Sequence, residues 1–232
     1  MKKFLPVSVI AFAIFISLIS PANAILLTAN ILSDPSVIDF SQFASNPQGP
    51  FEGPVQVGDL VGADVSFTGL PFNETDGAYL RNMNWGLMNN GSWNDGRNGF
   101  AAYAWGGPTG TMLFSFNDGP VSAVGAFIND APEPEGDDFI ISAYDADMNL
   151  LESYDIWDLA PINTPGMLNA GAFRGIGLET ALISHFGVTG FVPVADDLAF
   201  TTTPIPEPAT IFLLGTGLLS LVGAGSKKIF KR

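Results

Sequence analysis

Asp145, Asp147 and Asn149 set three oxygen-bearing side chains at alternate positions of one short stretch, the spacing with which an acidic loop wraps Ca²⁺. The stretch lacks the glycine that lets such a loop turn sharply, and its twelfth position, where a bidentate Glu would close the shell, is Ile156. A hairpin turn between two strands is the better reading of the same residues. Glu133, Glu135, Asp137 and Asp138 crowd a proline-containing loop, where a bound cation, or water and salt, would relieve their repulsion. Asp196 and Asp197 are adjacent in a strand-like run, so Asp196 shares its parity with the apolar Val194, Leu198 and Phe200. A carboxylate on an apolar face is costly unless it is paired, hydrogen-bonded or metal-bound, and Arg174, a backbone N–H or Ca²⁺ would each serve.

Aromatic side chains among amides suit sugar rings, which stack on π faces and hydrogen-bond at their edges. Between Asn84 and Gly107 the chain carries Trp85, Trp93, Tyr103 and Trp105. Tyr103 and Trp105 fall in a strand-like run and read as core. Trp93, flanked by Asn, Gly, Ser and Asp, reads as a loop tip that could touch a glycan. Catalysis finds little support. The single histidine, His185, sits in a strand-like run, no Gly-x-Ser-x-Gly elbow accompanies it, and the absence of cysteine removes thiol chemistry. A glycosidase needs two carboxylates about 5 to 10 Å apart in a cleft, and the sequence singles out no such pair. No catalytic residue is assigned, and the protein reads as a non-enzyme.

The elements that must position these residues are strands. Runs such as Val61–Phe67, Gly99–Trp105, Thr111–Phe116 and Val121–Ile128 are separated by Gly, Pro, Asn and Asp clusters. Asp138–Tyr144, Leu150–Ile156, Ala172–Leu178, Leu182–Val188 and Val194–Thr201 follow. No stretch between the two ends sustains a helical apolar period. About ten strands at this spacing predict an all-β fold, an antiparallel β-sandwich or jelly roll, with a closed barrel as the alternative.

Both ends are of a different kind. Met1-Lys2-Lys3, an apolar run from Phe4 to Ser20, and the small residues Ala22 and Ala24 make residues 1–24 a secretory signal peptide cut after Ala24 by signal peptidase. Residues 204–232 give a proline-rich lead-in, an uncharged run from Ala209 to Ser226, and a basic cluster of Lys227, Lys228, Lys231 and Arg232. That order predicts a short transmembrane helix with its basic end in the cytoplasm. What remains, residues 25–203, is one domain. Its only cations, Arg81, Arg97 and Arg174, face all of the chain's 23 carboxylates except Glu207, a formal charge of −19. Such a surface repels nucleic acid and suits divalent cations, Ca²⁺ above all, or neutral polysaccharide.

Pro206-Glu207-Pro208, the apolar run and the basic tail together resemble the PEP-CTERM sorting signal of Gram-negative bacteria that make exopolysaccharide. The resemblance implies that an exosortase recognises the tail, cuts near Pro206-Glu207-Pro208, and releases or transfers a domain that had been anchored in the inner membrane facing the periplasm. The expected destination is the cell surface or the extracellular matrix, in a structural or adhesive role, with a carbohydrate-binding module and a polysaccharide hydrolase as alternatives. The pieces Val121–Phe127, Asp138–Asp145, Phe173–Gly177 and Ala195–Phe200 are loosely similar to galactose-binding-like jelly rolls that precede such tails.

Overall fold

A computed structural model describes residues 24–72, 77–93, 99–104, 109–132, 139–166 and 168–205. Two antiparallel sheets pack face to face. The first runs in the order β1 (Ile25–Leu27), β15 (Ala172–Gly177), β11 (Ala123–Asn129), β17 (Val194–Thr201), β9 (Phe100–Ala104), β6 (Gly77–Arg81) and β3 (Gln48–Phe51), with β2 (Ser36–Ile38) also on β17. The second runs β13 (Leu150–Asp155), β12 (Ile140–Tyr144), β16 (His185–Gly190), β10 (Gly110–Phe116), β5 (Val65–Leu70) and β4 (Val55–Gln56). A small third sheet joins β14 (Leu168–Asn169), β8 (Ser92–Trp93) and β7 (Trp85–Gly86). The all-β sandwich expected from the strand spacing is the architecture observed.

The two large sheets differ in what covers them, and the sequence of each strand records it. In β10, Met112, Phe114 and Phe116 are buried while Thr111, Leu113 and Ser115 are half-exposed. That period of two marks a strand with one face on a core and the other toward solvent. In β11 nearly every residue is buried, because the first sheet is covered on both faces. Between the sheets lies the main core, where the rings of Phe67 and Phe114 stack at 5.0 Å. On the outer face of the first sheet sit two smaller clusters. One gathers Leu87, Trp93, Phe100, Phe191 and Val194, and the other gathers Leu27, Leu32, Phe173 and Ala199.

A bulge in β17 decides where its carboxylates go. Gly125 pairs with Ala199 but Phe127 pairs with Asp196, so β17 carries one extra residue there, and Asp197 takes it up at φ 48°. An inserted residue reverses the facing of everything beyond it. Ala195, Leu198 and Phe200 therefore all reach the main core, while Asp196 lies on the outer face with Val194. The parity that set Asp196 beside Leu198 and Phe200 is thus corrected. Among the described residues the one α-helix, α1 (Ile156–Leu159), follows β13 directly and is capped by Asp155, whose carboxylate accepts the Trp157 and Asp158 N–H groups. Among the described residues no helix is long and apolar enough to cross a membrane, and the run from Ala209 to Ser226 lies outside them.

Candidate functional site

The acidic stretch after β12 is a hairpin turn. Asp145 Oδ1 accepts the N–H groups of Asp147 and Asn149, both at 2.9 Å, and Oδ2 accepts the Asn149 side-chain amide at 2.9 Å. Both carboxylate oxygens are thereby engaged in closing the β12–β13 connection. The Asn149 side chain first, then backbone N–H groups and His185, holds the Asp145 carboxyl below the usual carboxylate range. Asp196 is buried and its Oδ1 accepts the Asp197 N–H at 2.7 Å, a backbone partner of the kind expected. Arg174 is not its partner: it lies across the sheet on the inner face and donates to the carbonyls of Ala160, Pro161 and Phe173. Glu133, Glu135, Asp137, Asp138 and Trp105 lie outside the described residues, as do Ala22, Pro206, Glu207, Pro208, Lys227, Lys228, Lys231 and Arg232. Among the described residues no three His, Asp or Glu side chains converge as a metal site.

Trp93 is not a loop tip. It is 1 % exposed, paired with Trp85 in the third sheet and packed on the outer face of the first sheet. Its polar neighbours in sequence disguise a strand of two residues that faces inward. Tyr103 is core, as expected, with its hydroxyl on the Pro71 carbonyl at 2.8 Å.

Sequence reasoning missed a buried polar network at one end of the first sheet. The Asn90 amide donates to Asn129 Oδ1 (2.6 Å) and to the Asp130 and Ile162 carbonyls. Asn129 donates on to Thr164 and Asn169, while Asp130 accepts the N–H groups of Phe191 and Val192. Every one of these links ties segments at least 35 residues apart, and the network is a fastening rather than a site.

Among the described residues no apolar cluster covers the outer face of the second sheet, whose side chains are half-buried with Ser142 and Gly187 buried between them. Strand register lays its residues in rows. Ser66, Ser115, His185 and Tyr144 are cross-strand neighbours in one, and Thr68, Leu113, Gly187 and Ser142 in the next. Thr111 and Thr189 pair in a third, their hydroxyls 2.8 Å apart. His185 Nδ1 meets Ser115 Oγ at 2.8 Å. Burial pushes the imidazole below its usual value, with the Asp145 carboxylate opposing, so the face is uncharged at neutral pH.

Protonating His185 is opposed by the fold, so its contribution to stability is present above pH 6.5 and lost as pH falls through the depressed folded value. The Asp145 contribution has the same direction lower down, fading as pH falls below 3.8. The urea midpoint is accordingly expected to fall between pH 7 and 5, and His185→Gln to flatten that part of the profile.

The two ends of the domain also meet. Ser122 Oγ accepts no role in the sheet and instead donates to the Thr201 and Thr203 carbonyls, at 2.9 and 2.7 Å. Ile205 packs in the same outer cluster as Ile25, and both reach the Gly177 position. Beside this exit a cleft of about 360 Å³ is lined by Asp34, Asp64, Asp118, Phe116 and Phe200 together with Thr201 to Thr203. Asp64 and Asp118 are already engaged there, Asp64 with Gln56 and Asn117 and Asp118 with the Asp64 N–H.

The chain beyond this exit is the part that comparison recognises. A family described as the PEP-CTERM protein-sorting motif matches residues 204–228. The chain carries a PEP-CTERM sorting motif. It is therefore an exported protein, anchored at the membrane and processed by an exosortase. The match starts at Pro204, one residue before Ile205 makes the last described contact with the sandwich. No curated protein and no solved structure matches the chain.

Proposed function

We propose that the exported domain is a non-catalytic structural or adhesive component of the cell surface or exopolysaccharide matrix. Signal peptidase cuts after Ala24, residues 209–226 hold the protein in the inner membrane with its domain in the periplasm, and the exosortase cut near Pro206-Glu207-Pro208 passes the domain outward. The observation that carries this reading is the join between domain and motif. The strands and side-chain contacts of the sandwich run as far as Ile205 at one end, and at the other β1 begins at Ile25, with Ala24 just before it resting partly buried on the main core. Cuts after Ala24 and beyond Ile205 would hand over every strand of the sandwich, at the loss of the single Ala24 methyl contact.

The Ser115–His185 pair supports the non-catalytic reading. In a nucleophilic triad the carboxylate holds Nδ1 and the serine meets Nε2, whereas here Nδ1 is on Ser115 and Asp145 closes a turn. Intact-mass measurement on the host's inner membrane, matrix and medium tests the proposal. A matrix or medium form starting at Ile25 and ending between Pro206 and Ala209 is expected. A form running to Arg232 and confined to the membrane would reduce the tail to a plain anchor and sink the matrix role.

A further inference from the structure

We propose that the outer face of the second sheet binds a neutral polysaccharide chain, with Gly187 and Tyr144 at its centre. The proposal rests on the matrix reading above for where the protein acts, and it adds the site and the ligand class. Three observations carry it. The first is that among the described residues no apolar cluster lies over this large sheet face, whose side chains are half-buried, whereas the outer face of the first sheet is buried under two clusters.

The second is its chemistry. In an exported part with a formal charge of −19, the strands β5, β10, β12 and β16 contain no Asp, Glu, Lys or Arg. Strand positions on an outer face are where an acidic protein ordinarily spreads its charge, and here they hold Ser, Thr, Tyr, His and Gly with Leu70, Leu113 and Ile140. Hydroxyls both donate and accept, which matches a polyol, and a tyrosine ring offers a stacking surface. The charge elsewhere repels anionic polymers and a second copy of the same chain alike. Four strands at about 4.8 Å spacing make the uncharged face about 14 Å across from β5 to β12, wider than one sugar ring and suited to an extended chain.

The third is Gly187. Glycine in a strand interior weakens it and usually marks a close approach. Three glycines of these strands fit that rule: a Cβ at Gly69 would lie 2.5 Å from the Ala78 Cβ, one at Gly110 would enter the Tyr103 ring, and one at Gly190 would lie 2.5 Å from Asp130 Oδ2. Gly187 does not. A Cβ there would rest at ordinary contact distance, 3.5 Å from the Tyr144 ring, 3.6 Å from the Thr111 methyl and 3.9 Å from Leu113. Gly187 is itself buried between these side chains, yet packing does not demand glycine there, and its effect is to keep the middle of the face low beside the Tyr144 ring.

The test uses the full chain extracted from host membranes in mild detergent, run in affinity gels containing galactomannan, xyloglucan or hydroxyethyl cellulose, with alginate as the anionic control. Retardation by at least one neutral polymer is expected for the wild type. Gly187→Val fills the low centre with a residue that strands favour, so its melting temperature should hold or rise while affinity falls at least tenfold. Tyr144→Ser should lose affinity comparably. The proposal is overturned if no neutral polymer retards the wild type, if either folded variant binds as well as the wild type, if alginate alone binds, or if the wild type sediments as a dimer that Gly187→Val splits. Full-length protein confined to the membrane would sink the matrix reading without touching these gels, and a matrix form of the Gly187→Val variant that is retained as well as the wild type would sink the face alone.

Discussion

Replacing Asp130 with alanine is expected to cost the exported domain about 2 to 5 kcal/mol, since two buried N–H groups lose a charged acceptor, each worth about 1 to 3 kcal/mol when left unsatisfied. Asp130 is 2 % exposed, with Oδ1 2.7 Å from the Val192 N–H and Oδ2 3.0 Å from that of Phe191. The turn so held feeds β17 and supplies Phe191 and Val192 to the cluster that buries Trp93. Loosening it should therefore register in tryptophan fluorescence before global unfolding. Against a total stability of about 5 to 15 kcal/mol for a domain, the loss should move the urea midpoint down by about 1 to 2 M. Asp130→Asn keeps one acceptor and presents an NH₂ to the other N–H, so it should fall between the two. Unchanged midpoints for both variants would show that the carboxylate does not fasten this turn.

That network was illegible for a physical reason. Asn129 and Asp130 end an apolar strand and precede Ala131-Pro132, which is also how an ordinary solvent-facing turn is spelled. What distinguishes them is burial by segments 35 to 62 residues away in the chain, and no local pattern encodes that. β10 and β11 were legible to within two residues at each end, because alternation in one and a nearly unbroken apolar run in the other are direct consequences of what covers each face. The bulge at Asp197 was not, since one inserted residue leaves composition untouched while reversing the facing of Asp196 relative to Leu198 and Phe200. Trp93 misled through its polar neighbours, and strands of two residues such as β7 and β8 leave no period to detect. The sorting tail, by contrast, is read by composition and order alone, which is why residues 204–228 are recognisable without any fold. The hydroxyl face was present in the sequence as Thr111, Leu113 and Ser115 alternating with buried residues, but only strand order shows that its uncharged neighbours adjoin.

Arg174→Met is expected to cost about 2 to 4 kcal/mol, and the sign turns on which partners can be removed with it. Arg174 is 8 % exposed, and burial pushes its guanidinium below the usual range. Replacing a buried charge by an apolar side chain is often neutral when its counter-ion is replaced as well. Here the acceptors are main-chain carbonyls that no substitution removes: Nε and Nη2 both donate to Ala160, at 2.9 and 2.7 Å, and Nη1 donates to Phe173 at 2.7 Å. Ala160 closes the C-terminal end of α1, where a cation also meets the negative end of the helix dipole. Methionine would fill the volume and relieve the cost of burying the charge, yet leave those carbonyls facing apolar side chains, and the unmade bonds outweigh the relief. Lysine keeps the charge but lacks the planar fork that reaches Ala160 and Phe173 together. Arg174→Lys should therefore recover about half of the loss in urea midpoint, whereas equal midpoints for the methionine variant and the wild type would mean that the desolvation cost of the guanidinium cancels its hydrogen bonds.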